Sequence, residues 1–122
     1  MIIKKCMKCG AVVEVLHDCT CENCGIKCCG ETMKTFIPNT EEASFEKHMP
    51  VYEVVGDEIV VTVPHVMEEE HFIEWIALVD GNSIQKEILV IGKDAKAKFP
   101  YKNGSMVYSY CNKHGLWSVE VK

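Results

Sequence analysis

The sequence predicts a mainly β protein in two parts: a small metal-stapled module over residues 1–37, then an antiparallel β-sandwich over residues 38–122. Three observations predict it. Seven of the eight cysteines fall before residue 30. Residues 17–30, rich in Cys, Gly and polar side chains, show no hydrophobic periodicity and cannot order themselves by apolar burial, so a bound metal must supply the folding energy. From Pro50 onward, short β-branched runs alternate with turn residues, the spacing of a sandwich.

Taken in order, Ala11–Leu16 reads as a strand and Glu31–Ile37 as a second, with the sulfur-rich stretch between them. Pro38-Asn39-Thr40-Glu41-Glu42 reads as a linker leading into a helical turn through Phe45. Val51–Val55 and Ile59–Val63 are joined by Gly56-Asp57, a hairpin connection. Phe72–Val79 follows, with Trp75 in the core and Asp80-Gly81-Asn82 ending it. Ile84–Ile91, Ala95–Tyr101, Met106–Tyr110 and Leu116–Val121 complete about seven strands, separated by Gly-Lys-Asp, Lys-Asn-Gly and Asn-Lys-His-Gly breaks.

Composition narrows the function. A chain of 122 residues, 48% hydrophobic, has room for a genuine core. Its net charge is −5, and its thirteen cationic side chains are all lysine. A nucleic-acid binder needs a basic face, and no arginine is present to fork onto guanine or phosphate, which argues against a DNA-binding zinc ribbon. The stretch before Cys6 is too short for a signal peptide, and no run approaches the ~20 apolar residues of a membrane span. A cytoplasmic protein without a membrane partner is expected, where cysteines so spaced serve metals or redox chemistry.

Cys6-x-x-Cys9-Gly10 has the spacing of a metal knuckle, with Gly10 free to take a conformation closed to other residues. The second pair of ligands is open on spacing alone: Cys28-Cys29 completes the site, or Cys21-x-x-Cys24-Gly25, which repeats the form of the first knuckle, does so in whole or by replacing one of the adjacent pair. Iron and zinc both accept four thiolates. The second group of donors is His48, His65, His71 and Cys111-x-x-His114, all at strand ends or loops, where a sandwich carries its functional groups. Four imidazoles and one thiolate leave one position open on an octahedral iron, and a thiolate opposite that position donates electron density to whatever binds.

These residues bring the chain to a family. Glu46-Lys47-His48-Met49-Pro50, the run from His65 to Trp75, and Tyr110-Cys111-Asn112-Lys113-His114-Gly115-Leu116-Trp117 resemble desulfoferrodoxin, the two-iron class of superoxide reductase. Cys6-x-x-Cys9-Gly10, Val13–His17 and Cys28-Cys29-Gly30-Glu31-x-Met33 resemble its desulforedoxin-like module. The resemblance implies a rubredoxin-like iron on Cys6, Cys9, Cys28 and Cys29, with zinc as the competing occupant, followed by an immunoglobulin-like catalytic sandwich. It further implies a catalytic iron held by His48, His65, His71 and His114, with Cys111 as axial ligand. Glu46 matches the glutamate that fills the open position in the oxidised state, and Lys47 the lysine that attracts superoxide. Reduction of superoxide to hydrogen peroxide, a homodimer, and rubredoxin or a similar electron donor are implied as well.

The chain departs from the family in two places. Val66 stands where the family usually has proline after the second histidine, with Pro64 before it. Cys19, Cys21 and Cys24 occupy a loop that is usually free of cysteine. Two other readings use less of the sequence: an electron carrier working through the sulfur site alone, and a zinc-ribbon adaptor joined to a β-sandwich binding module.

Overall fold

Ile2–Lys5 forms the first strand, β1, in a computed structural model that describes residues Met1–Lys122. Two units result, Met1–Ile37 and Pro38–Lys122. In the first, β1 lies between β2 (Val12–Val15) and β5 (Lys34–Thr35), antiparallel to both. Ile3 is buried here with Met33 and Phe36. A separate two-residue hairpin, β3 (Lys27–Cys28) with β4 (Glu31–Thr32), carries the adjacent cysteines at its turn.

This differs from the single strand expected over Glu31–Ile37. Met33 breaks it, because its N–H turns aside to the Ile26 carbonyl at 2.8 Å and its side chain fills the small core. β1 itself carries no turn signal and only four residues. It is held from outside by ladders on both edges, a tertiary effect that overrides local pattern.

The second unit begins with one helical turn, α1 (Phe45–His48). A three-stranded sheet follows, ordered β10-β7-β6, with β6 at Val51–Val55, β7 at Glu58–Val63 and β10 at Ala95–Pro100. The other sheet is four-stranded, ordered β12-β11-β8-β9, with β8 at Ile73–Asp80, β9 at Ser83–Ile88, β11 at Met106–Cys111 and β12 at Gly115–Glu120. All pairings are antiparallel. Seven strands in two sheets match the expected architecture, with Ile84–Ile91 stopping short at Ile88. No helix is long and apolar enough to cross a membrane.

Strict alternation builds the core. On β7, Ile59, Val61 and Val63 are buried; on β10, Ala95, Ala97 and Phe99 are buried while Lys96 and Lys98 face out. They pack with Ile73, Ile76, Leu78, Val107 and Cys111 from the other sheet. The β8–β11 ladder shifts register between Tyr110 and Cys111, which pair with Trp75 and Ile73, leaving Glu74 as the extra residue. Such bulges re-aim side chains beside functional sites, and this one sits where Cys111 enters the core. β11 and β12 are joined by Asn112-Lys113-His114, and Gly115 (φ 76°) supplies the left-handed conformation that a three-residue hairpin loop requires.

Ile76→Ala should lower the unfolding free energy by about 2–5 kcal/mol, since Ile76 is fully buried in the cluster. Ile88→Ala, at a position 70% exposed, should stay within about 0.5 kcal/mol. Urea unfolding of the metal-loaded protein, followed by tryptophan fluorescence, checks both.

Candidate metal centres

The first centre is built by two tight turns. After β1, the Gly10 N–H donates to the Cys6 carbonyl at 2.9 Å and the Cys6 N–H to the Ala11 carbonyl at 2.8 Å, closing the knuckle. Gly10 takes φ 83°, as a glycine readily does. Between β3 and β4, Cys29 (φ 53°) and Gly30 (φ 77°) both lie in the left-handed region. That turn aims the Cys28 and Cys29 sulfurs the same way.

The four Sγ atoms of Cys6, Cys9, Cys28 and Cys29 lie within 4.8 Å of one another. Cys9 and Cys28 sulfurs are 3.6 Å apart, and Cys28 and Cys29 sulfurs 3.9 Å. Tetrahedral thiolates at about 2.3 Å from a metal would be separated by about 3.8 Å, so the donor set fits a tetrahedral Fe or Zn ion. The Cys9 and Lys8 backbone N–H groups bring the Cys6 thiol down to about 6. Cys28, beside the sulfurs of Cys9, Cys6 and Cys29, is pushed up to about 12, and Cys29 is raised, with Cys9 the main cause. One thiolate forms readily and its neighbours then resist ionising, the behaviour of like charges that lack a cation between them. Cys21 and Cys24 stand outside this set, joined to each other in a disulfide.

The second centre draws its donors from three stretches of the sandwich. His48 ends α1, His65 and His71 lie on either side of the acidic turn in the β7–β8 connection, and Cys111 ends β11 with His114 in the loop that follows. Their five donor atoms also lie within 4.8 Å of one another. His48 Nε2 is 3.0 Å from His114 Nδ1, which is 3.2 Å from His71 Nε2, which is 3.1 Å from His65 Nε2. Two nitrogens at right angles on a metal with bonds of about 2.1 Å would be about 3.0 Å apart. Cys111 Sγ approaches His65 Nε2 at 3.5 Å and His114 Nδ1 at 3.8 Å. Four nitrogens and one sulfur at this spacing fit a six-coordinate iron with one position left over.

Hydrogen bonds from the other ring nitrogens orient the imidazoles. His48 Nδ1–H donates to the Ser44 carbonyl at 2.7 Å and His65 Nδ1–H to the Val66 carbonyl at 2.5 Å, directing each Nε2 lone pair inward. The role at residue 66 belongs to the backbone; the Val66 side chain is 49% exposed, so valine serves where the family usually has proline. Burial lowers His48, His65 and His71 below their ordinary 6.5, keeping them neutral, the state a ligand requires. Burial raises the Cys111 thiol, opposed by the Lys113 and His114 N–H groups. It therefore needs a cation to ionise.

Three supporting residues had no role assigned from sequence. Asn112 Nδ2 donates to the Glu70 carbonyl at 3.0 Å, while its Oδ1 accepts the Phe72 N–H at 3.0 Å, tying the Cys111–His114 loop to the His71 turn. Ser109 Oγ donates to the His48 carbonyl at 3.2 Å. Trp117 stacks on His48 at 5.1 Å and donates from Nε1 to the His114 carbonyl at 3.0 Å. Asn112 and Trp117 lie within the Cys111-x-x-His114 neighbourhood, which was the available signal; nothing local marks Ser109.

Lys47 and Glu46 are exposed on α1. Lys47 lines a cavity of about 340 Å³ with His65, Val66, Pro64 and Asp94. Glu46 is not among the groups whose donor atoms converge.

A seven-stranded sandwich bearing four imidazole donors and one thiolate, preceded by a four-sulfur knuckle, defines a non-haem metalloprotein with two mononuclear centres. The desulfoferrodoxin family model matches residues 34–120. A desulfoferrodoxin from Syntrophotalea carbinolica is 43% identical, covering 97% of this chain and 94% of its own length. One from Nitratidesulfovibrio vulgaris is 42% identical over the same shares. The crystal structure of the superoxide reductase from Treponema pallidum superposes with TM-score 0.70 at 27% identity, covering 97% of this chain and 98% of that one. The chain belongs to the desulfoferrodoxin family.

Asn112→Ala should weaken metal binding at the second centre about 10–100-fold, as loss of an orienting partner does, while the first centre keeps its metal. Competition with a chromophoric chelator reads this. In metal-free protein the lowered folded-state pKa of His48, His65 and His71 means that the unfolded chain binds more protons below 6.5. Stability should be fully present above that pH and be lost as the pH falls through the lower folded values. Denaturant midpoints at pH 8 and pH 5, with and without metal, check the sign.

Proposed function

We propose that the protein is a superoxide reductase, adding one electron and two protons to superoxide to give hydrogen peroxide without releasing dioxygen. The observation that carries this reading is the convergence of His48, His65, His71, His114 and Cys111 on one metal-sized space. Ferrous iron held by these five residues would supply the electron and a place for the substrate to bind.

The chain's own residues do the rest. Four neutral imidazoles leave the charge of the metal largely uncompensated, which favours an anionic substrate. Cys111, buried and able to hold the iron as its thiolate, would donate electron density to it and so ease release of the product. The Lys47 ammonium, exposed and lining a cavity shared with the ligand candidate His65, captures superoxide in the last stage of approach. That role falls to a local charge because the net charge of −5 is screened beyond about 8 Å at physiological salt. Water held near Lys47 Nζ delivers the protons. Glu46, one residue away on α1, is proposed to close the open position in the oxidised protein. Cys6, Cys9, Cys28 and Cys29 hold the first iron as a relay for electrons from rubredoxin or a similar carrier. A homodimer in the cytoplasm completes the reading, supported by the likeness to desulfoferrodoxins over 97% of the chain and by cysteine spacing suited to metals.

Cys111→Ser replaces a soft donor with a hard, poorly ionised one. It should leave iron bound by the histidines while superoxide reduction falls by at least an order of magnitude in stopped-flow assays. Near-normal turnover would remove the electron-donating role of Cys111. Lys47→Ala should lower the second-order rate about tenfold at low ionic strength and flatten its salt dependence, with an unchanged iron spectrum. Cys9→Ser should bleach the first centre yet keep most turnover when the second iron is reduced chemically. Total inactivation with that iron still bound would make the first centre obligatory.

A further inference from the structure

We propose that Cys21 and Cys24 form a third redox site, a two-electron thiol–disulfide couple that exchanges with external dithiols while both metal centres stay intact. The pair is bridged, with Cα atoms 5.7 Å apart, inside the range a disulfide accepts. Asn23 between them takes φ 55°, a left-handed conformation that asparagine tolerates better than most residues. Both cysteines are exposed, so a donor can reach either sulfur. Cys24 Sγ lies 2.8 Å from the Cys21 carbonyl, placed to donate to it once reduced.

The loop does not depend on the bridge. Ahead of it, the buried Lys4 ammonium holds Asp18 at 3.0 Å, and Asp18 in turn accepts the Cys19 N–H at 2.8 Å. Behind it, Gly25 passes so close to Thr32 that a Cβ would meet the Thr32 methyl at 2.9 Å, and Ile26 accepts the Met33 N–H at 2.8 Å. A link between cysteines three apart also closes a very short loop, where chain-entropy stabilisation is small. Exposed bridges with little structural duty are the reducible ones. The metal does not need these sulfurs either, since four others already converge on the first centre.

In the exchange, a donor thiolate attacks one bridge sulfur. The S–S bond breaks, and the other sulfur leaves as a thiolate that takes a proton from water. The donor's second thiol then resolves the mixed disulfide. Two electrons and two protons pass to Cys21 and Cys24, and the donor is left as a disulfide; an external disulfide reverses the process. Nothing in this requires the superoxide chemistry, so either reading stands or falls without the other.

The test equilibrates metal-loaded protein, without air, in buffers of reduced and oxidised dithiothreitol at set ratios. Native alkylation and peptide mass mapping then follow. Cys21 and Cys24 should become labelled together. The ratio of reduced to bridged protein should change tenfold for each tenfold change in the buffer ratio, with the first-centre absorbance and metal content unchanged. The Cys21→Ser/Cys24→Ser double variant should bind first-centre metal like the parent. A bridge that resists excess dithiothreitol, a bridge mapped to Cys19 instead, or metal lost in step with reduction or in the double variant would each overturn the proposal.

Discussion

Everything in the second unit answers to one constraint: four imidazole nitrogens and one sulfur are packed together with too few protons to share. Neutral imidazole carries a single ring proton, and His48 and His65 have spent theirs on the Ser44 and Val66 carbonyls. Four ring nitrogens spaced 3.0–3.2 Å along three consecutive contacts therefore share at most two protons. Charging His48, His65 or His71 is opposed by burial and by their neighbours' charge. A cation resolves the conflict at a stroke, and its removal leaves lone pairs facing one another. The first unit obeys the same logic with thiolates, where like-charge repulsion replaces lone-pair crowding.

The sandwich serves this constraint by bringing together residues far apart in the chain. The β8–β11 bulge sets Cys111 in the core, and the three-residue loop ending at Gly115 brings His114 back beside it. Asn112 and Ser109 then fasten that hairpin to the His71 turn and to α1. The donors come from the end of α1, the β7–β8 connection and the β11–β12 hairpin, with hydrogen bonds fixing the aim of His48 and His65, which is how a site is held to the tolerances that catalysis needs.

Much of this was legible in the sequence. Period-two alternation on β7 and β10 and the Gly-containing turns marked the strands, and the histidines and cysteines grouped themselves. The first unit was harder. Its strands run two to four residues and gain their order from pairing and from sulfur, so β1 and the β3–β4 hairpin left no pattern to read. The bonds by which Asn112 and Ser109 tie the loops together were hidden for a different reason: they join residues 40 and 61 apart, and local periodicity does not record a contact of that span. Cys21 and Cys24 were visible from the start, but whether they served the metal or each other depended on where the chain turned at Asn23.

The central claim is that the histidine–cysteine centre reduces superoxide rather than disproportionating it. Four neutral imidazoles and one thiolate around an iron held by His48, His65, His71, His114 and Cys111 would favour giving an electron and releasing peroxide. Stoichiometry tests this most directly. Fully reduced, iron-loaded protein should be given a limiting amount of superoxide without air, and peroxide and dioxygen measured together. The account predicts one peroxide for each superoxide consumed, one ferrous centre oxidised for each, and no dioxygen. Dioxygen released with half that yield of peroxide, and iron left ferrous, would contradict it.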